Sequence, residues 1–83
     1  MMIYRLEIKE SAKAVLRSLP EDVRRGIGYR LYLLQTDLSG DVKKLTAQER
    51  KYRLRVGNFR ILFHLDGKLI SIVDIKDRSE AYN

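Results

Sequence analysis

The sequence contains no cysteine, and it has no apolar run long enough to cross a membrane or to serve as a signal peptide. Without cysteine, a disulfide framework and a thiolate metal site are excluded, and a reducing compartment is the one that fits. We therefore expect a cytoplasmic protein that does not associate with a membrane. Its 83 residues are enough for one small domain with a single core, residues 1–83.

Acidic residues are scarce in the part of the chain where basic residues are most frequent. Residues 42–60 contain one acid, Glu49, and seven bases: Lys43, Lys44, Arg50, Lys51, Arg53, Arg55 and Arg60. This stretch alone matches the net charge of the whole chain, +6. Concentrated positive charge favours a polyanionic partner, either a nucleic acid or an acidic protein. A solvated lysine-rich surface is the ordinary alternative, but most of these bases are arginines and several lie on a predicted strand.

Apolar periodicity predicts two consecutive helices after a short N-terminal strand at 2–8, with Ile3 as a core residue of that strand. Ser11 is the expected N-cap of the first helix, which ends at the single proline, Pro20. Pro20 then opens the first turn of a second helix that extends to Leu38 with an apolar stripe along one side. A short break between two helices is typical of a helical hairpin.

The rest of the chain alternates as strands. A loop at 39–41 and a lead-in segment at 42–45 precede predicted strands at 50–56, 59–65 and 68–76. Gly57-Asn58 and Asp66-Gly67 are the expected hairpin turns. The sequence thus predicts an α+β domain of order β-α-α-β-β-β, with the helical hairpin packed on a small, largely antiparallel sheet.

The segment KYRLRVGNFRILFH, residues 51–64, contains no acid. If Gly57 and Asn58 form the loop, one face of this hairpin is apolar and the other is basic. The basic side then pairs Arg55 with Arg60, Arg53 with Leu62 and Lys51 with His64. Like charges opposite each other destabilise a sheet, so a bound anion explains the pattern best, and the arginine fork suits phosphate. The alternative is that these arginines extend into water or pair with Asp74, Asp77 or Glu80.

Two further features are candidates for a functional site. His64, the only histidine, lies on the basic side of the hairpin, and imidazole can exchange a proton near neutral pH. A lone histidine is nevertheless more often a surface or packing residue. The C-terminal segment IKDRSEAYN places Arg78 and Tyr82 after the last strand, where a base and an aromatic ring can clamp a phosphate and stack a nucleobase.

The motifs GDVKKL (40–45), YRLRVGNFRILF (52–63) and IKDRSEAY (75–82) resemble the RelE/ParE superfamily of toxins from bacterial type II toxin–antitoxin systems. The resemblance is greater to the RelE-like mRNA interferases, and it covers the whole β-α-α-β-β-β order. It implies a toxin that enters the ribosomal A site and cuts mRNA by attack of the ribose 2′-OH on the adjacent phosphate, without cofactor or metal. The implied partners are a cognate antitoxin protein, the ribosome and mRNA.

Position by position, the resemblance implies a catalytic set of five residues. Arg53 and Arg55 match the paired basic positions before the turn, and Arg60 matches the arginine after it. Arg78 and Tyr82 match the tail arginine and the terminal tyrosine. The surrounding residues Lys43, Lys44, Lys51 and His64 are the predicted RNA-binding set.

The chain departs from the family pattern at two places. Some relatives have lysine at the positions of Arg53 and Arg55, and many have histidine at the position of Asp77. Because arginine does not give up its proton in proteins, its expected role is to stabilise charge on the transition state. Proton transfer then falls to Tyr82, to an arginine, or to the ribosome and substrate. Two other functions remain open, a ParE-like non-catalytic inhibitor of DNA gyrase and a plain nucleic-acid-binding domain.

Overall fold

The structure, a computed structural model, describes residues 3–46 and 51–77. The described elements are β1 (Arg5–Ile8), α1 (Glu10–Ser18), α2 (Glu21–Asp37), β2 (Asp41–Thr46), β3 (Lys51–Val56), β4 (Phe59–Asp66) and β5 (Leu69–Asp77). The strands form one sheet in the order β1-β5-β4-β3-β2. The pair β1–β5 is parallel, and the other three pairs are antiparallel. The predicted α+β fold, with two helices on a largely antiparallel sheet, is confirmed.

The helices cover one face of the sheet because their apolar stripes and the alternate strand residues bury each other. The helices contribute Ala12, Ile27, Leu31 and Leu34, and the strands contribute Leu54, Ile61, Phe63, Ile70, Ile72 and Ile75. Among the described residues, no polar or charged residue belongs to this buried set. Neither described helix is long and apolar enough to span a membrane.

The start of the first helix differs from the prediction. Helix α1 begins at Glu10 after Lys9, and the hydroxyl of Ser11 makes no cap. Instead this hydroxyl donates to the carbonyl oxygen of Val73 at 2.9 Å. Ser11 therefore ties α1 to β5, a contact between segments 62 residues apart that local sequence could not reveal.

The start of β1 also differs from the prediction, and it lies next to the end of α2. Ile3 is 51% exposed, so its assignment to the core is wrong. Strand β1 begins only at Arg5, and the backbone N–H of Ile3 donates to the carbonyl oxygen of Gln35 near the end of α2. Pro20 is the N-cap residue of α2 and precedes its first turn.

The segment 41–46 forms a strand, β2, where the sequence predicted a loop and a lead-in. Helix α2 ends at Asp37, its C-cap Leu38 has a φ of 58°, and Gly40 follows with a φ of 123°. A Cβ on Gly40 would lie 2.8 Å from Cδ1 of Leu54. Glycine therefore allows the chain to turn closely against β3, and β2 starts at once with Asp41 opposite Arg55.

The hairpin of β3 and β4 has the predicted register. Val56 pairs with Phe59, so Gly57 and Asn58 form the loop. The φ of Gly57 is 57°, and a positive φ at the first loop position is typical of a type II′ turn. The next loop consists of Gly67 and Lys68, since Asp66 still pairs with Leu69. That turn lies one residue later than predicted.

Candidate nucleic-acid interface

Side chains on the face of the sheet opposite the helices form cross-strand rows. The first row, across β2 to β5, is Asp41, Arg55, Arg60 and Lys76, and the second is Lys43, Arg53, Leu62 and Asp74. A third row runs from Lys51 on β3 through His64 and Ser71 to Glu7 on β1. Rows are about 7 Å apart along a strand, so these side chains share one compact surface. We call the first two rows, with Lys51 and His64, the basic face.

Arg60 lies between two other bases in the first row. Arg55 is opposite it on β3, and Lys76 is opposite it on β5. Within residues 3–46 and 51–77, no carboxylate forms an ion pair with Arg60 or Lys76. Because like charges directly opposite each other destabilise a sheet, this part of the basic face is arranged for an added anion.

One acid at the edge of the row moderates this charge. Oδ2 of Asp41 is 3.9 Å from Nε of Arg55. From sequence, Asp41 is predicted in a loop, and Asp74, Asp77 or Glu80 are the expected partners of the arginines if no anion is bound. Both side chains of the observed pair are substantially exposed, so water screens the pair and it is weak. Arg55 therefore remains able to bind an anion.

Arg53 carries the least satisfied polar atom of the described chain. Its Nη1 is buried and has no hydrogen-bond partner. The cross-strand neighbours of Arg53 are Lys43 and Leu62, which offer no carboxylate. Leaving a buried donor unpaired typically costs about 1–3 kcal/mol, and more for a charged group. Folding of the described residues thus leaves one donor of Arg53 unsatisfied, which makes Arg53 a candidate anion-binding residue.

Lys44 does not belong to the basic face, although the sequence analysis grouped it with the RNA-binding residues. Its cross-strand partner is Tyr52, and its Nζ lies 5.8 Å from the centroid of the Tyr52 ring. The Tyr52 ring stacks in turn on Phe63, with centroids 5.4 Å apart and planes 14° apart. Since Phe63 is a core residue, Lys44 lies on the helix side of the sheet and makes a cation–π contact there.

Lys76 is the residue of this surface that sequence reasoning missed. It follows the buried Ile75 on β5 and is exposed opposite Arg60. Alternation along the predicted strand 68–76 and its expected hairpin with 59–65 were the signals available. The later turn and a bulge opposite Leu62 and Phe63 shift the register so that Lys76 lies opposite Arg60, and neither shift was assigned from sequence. The predicted tail residues Arg78 and Tyr82 lie outside the described residues.

Comparison with solved structures finds the same fold over nearly the whole chain. One match is to a chain of the archaeal RelE–RelB complex from Pyrococcus horikoshii, with a TM-score of 0.82 and 28% identity, covering 93% of this chain and 97% of that one. A chain of the RelB–RelE antitoxin–toxin complex from Methanococcus jannaschii matches with a TM-score of 0.76 and 25% identity, covering 92% and 94%.

Similarity of fold extends to less similar sequences. A chain of the RelBE2 toxin–antitoxin complex from Mycobacterium tuberculosis has a TM-score of 0.80 at 19% identity, covering 95% of both chains. No protein-family model and no curated protein sequence matches this chain.

Proposed function

We propose that this chain, a RelE-like toxin by its fold and its similarity to the archaeal RelE–RelB chains, is the toxin of a type II toxin–antitoxin system and cleaves mRNA on the ribosome. The basic face supports this proposal. Within the described residues, Nη1 of Arg53 is buried without a partner, and Arg60 lies between Arg55 and Lys76. An RNA phosphate is the abundant anion that an array of arginine forks suits best.

In the proposed reaction, the ribose 2′-oxygen attacks the adjacent phosphorus and the 5′-oxygen leaves. The products are a 2′,3′-cyclic phosphate and a 5′-hydroxyl. Negative charge grows on the phosphate oxygens in the transition state, so preorganised donors from Arg53, Arg55 and Arg60 lower the barrier. Lys76, at the end of the same row as Arg60, adds a further positive charge beside the phosphate.

Proton transfer needs a group other than these arginines, since arginine retains its proton. The 2′-hydroxyl must lose a proton and the 5′-oxygen must gain one. We assign a role in this step, or in stacking on a base, to Tyr82, and we assign Arg78 as a phosphate ligand. Comparing Tyr82→Phe with Tyr82→Ala separates the two roles: activity kept only in Phe indicates stacking, and activity lost in both indicates the hydroxyl.

An antitoxin must restrain such an enzyme, and two surfaces are available to it. One is the basic face. The other is an apolar groove of about 460 Å³ between β1, α1 and α2, lined in part by Leu6, Leu16 and Leu31. We propose an acidic, partly disordered antitoxin that folds on binding and covers both surfaces, with charge speeding the encounter and apolar burial supplying affinity. Because its target is the translating ribosome, the toxin would act in the cytoplasm.

The ParE-like alternative is not favoured, because the matched chains that are at least 25% identical to this one come from RelE–RelB complexes. A plain nucleic-acid-binding domain would account for the charge. It would leave the ordered row of Arg55, Arg60 and Lys76 without a specific role.

Mapping of mRNA 5′ ends after induction of the chain in cells tests the proposed function. We expect new 5′-hydroxyl ends confined to translated codons, together with growth arrest. Arg60→Ala should remove these ends, whereas Lys68→Ala, the same charge change in an exposed turn, should not. Intact mRNA together with inhibited DNA supercoiling would refute the proposed nuclease activity and would support the inhibitor of DNA gyrase.

A further inference from the structure

A small apolar pocket of about 140 Å³ adjoins the basic face. Leu62, Val73 and Leu45 are among the residues that line it, together with Lys51, His64 and Tyr52. Val73 is the extra residue of a β-bulge: Leu62 pairs with Asp74 and Phe63 with Ile72, so Val73 has no partner on β4. The bulge therefore adds an apolar side chain next to Leu62 on a sheet face that is mostly charged.

The pocket adjoins the proposed phosphate site through Leu62. Leu62 is directly opposite Arg53, the arginine with the buried, unpaired Nη1. Side chains opposite each other have their Cβ atoms about 5 Å apart. Lys51 is two residues from Arg53 on the same strand, about 7 Å along it. A group bound in the pocket would thus lie close enough to a phosphate held by Arg53 to belong to the same nucleotide or to the next one.

His64 offers an unused polar group at this pocket. Within the described residues, its imidazole makes no hydrogen bond or ion pair. A neutral imidazole has one donor and one acceptor nitrogen. The pocket therefore combines apolar walls with a side chain able to hydrogen-bond the edge of a bound ring.

The volume limits what can enter. An apolar cavity of about 150 Å³ holds benzene, whereas pockets for drug-sized ligands usually measure about 300–1,000 Å³. A pocket of about 140 Å³ therefore suits one planar ring. The positive charge of the neighbouring residues favours a ring that is attached to an anionic chain.

We propose that this pocket binds one nucleobase of the RNA, that of a nucleotide next to the phosphate held by Arg53, Arg55 and Arg60. This inference rests on the proposed function and adds to it a subsite for base selection. The apolar walls formed by Leu62 and Val73 hold the ring by contact, and His64 hydrogen-bonds its edge. Base preference at one position of the cut sequence then depends on this pocket, whereas the arginines act on every phosphate alike.

The test combines toxin variants that fill the pocket with mRNAs that lack one base. Ribosomes are programmed with synthetic mRNAs that carry an abasic site at each position around the cut in turn, and single-turnover cleavage is measured. With the wild-type toxin, one abasic position should lower the rate about tenfold, the order expected for losing contact with one base. In Val73→Phe the same abasic change should alter the rate by less than about twofold, because the side chain already occupies the pocket.

Two further variants guard against misfolding and against side effects on Arg53. Leu62→Phe fills the pocket from the opposite wall and should reproduce Val73→Phe. Leu69→Phe is the matched control, since Leu69 pairs with Arg5 and Asp66 at the far end of the sheet. It should keep the wild-type response to the abasic site. Circular dichroism and thermal melts establish that each variant is folded.

His64 has a separate readout. His64→Ala should change the order of preference among the four bases at the sensitive position, and His64→Gln, which keeps a donor and an acceptor, should restore part of it. Equal abasic losses in wild type, Val73→Phe and Leu62→Phe would overturn the base pocket. Weaker antitoxin binding in those variants with an unchanged cleavage profile would also overturn it, and would assign the pocket to a peptide side chain. No cleavage by wild type at all would overturn the nuclease function itself.

Discussion

The two faces of the sheet differ in whether folding alone gives their side chains favourable neighbours. Arg60 and Ile61 are adjacent on β4 and point to opposite faces. Ile61 is fully buried among apolar neighbours of the core, whereas Arg60 lies between two bases. Folding therefore completes the environment of Ile61 and leaves that of Arg60 incomplete. The face that stays unsatisfied after folding is the one that we assign to function.

Ile61→Ala should give the largest change in stability. Removing a fully buried branched side chain costs about 2–5 kcal/mol of unfolding free energy, because apolar contacts are lost and a cavity remains. Urea titration measures the effect, with Lys68→Ala as an exposed control within about 0.5 kcal/mol of wild type. A change below about 1 kcal/mol for Ile61→Ala would mean that the core can collapse around the gap and that the contrast between the faces is small.

Arg60→Ala should have the opposite effect to Ile61→Ala: a large loss of activity with little change in stability. We expect its cleavage rate on the ribosome to fall about a hundredfold or more, as for loss of one transition-state donor. Its stability should stay the same or rise slightly, because a like-charge contact with Arg55 and Lys76 is relieved. Single-turnover cleavage and urea titration on the same preparation check both parts.

Lys68→Ala is again the matched control, because it removes one positive charge at the other end of β4. If that control lost as much activity as Arg60→Ala, total charge would matter and the row of arginines would not. A folded Arg60→Ala protein that still arrests growth fully would refute the assignment of Arg60.

Gly40→Ala probes the connection that brings β2 to the basic face. The φ of Gly40 is 123°, and an added Cβ would lie 2.8 Å from Cδ1 of Leu54. Strain of this kind costs about 1–3 kcal/mol, to be measured by urea titration. Gly26→Ala is the matched control: it lies in α2 with open space around its Cβ, and it should stabilise the protein by about 0.5–1 kcal/mol. Equal effects of both substitutions would remove the special role of Gly40.

Asp41→Asn should produce the smallest change. The Asp41–Arg55 pair is exposed and 3.9 Å long, so its loss should cost at most about 1 kcal/mol of stability. Removing the carboxylate should raise affinity for a short single-stranded RNA a few-fold, because it no longer competes for Arg55. Fluorescence anisotropy measures this, with Asp22→Asn on α2 as a control for net charge. Unchanged or weaker RNA binding in Asp41→Asn alone would place the RNA away from Arg55.

At the β3–β4 hairpin, where structure depends on neighbours in sequence, the sequence-based prediction succeeded. Alternation on both sides of Gly57-Asn58 predicted that Arg55 lies opposite Arg60 and Arg53 opposite Leu62, and the hairpin confirms both pairs. A two-residue loop leaves only one register, and one buried face excludes a shift by one residue. The resemblance to RelE-like toxins, which the structural matches confirm, depended on the same local motif.

Only the tertiary structure decided the contacts between distant segments. The strand character of 41–46 and the pairing of Asp41 with Arg55 depend on which strands become neighbours, and the place of Lys76 beside Arg60 depends on the register of the β4–β5 hairpin. The bulge between Lys44 and Thr46 and the second bulge at Val73 shift register inside strands, and no turn motif marks either of them. The sequence by itself determined that a hairpin with one apolar and one basic side would form. Packing of that apolar side against α1 and α2 decided which other side chains joined the basic side, because burial of the whole core selects the strand order and local patterns do not.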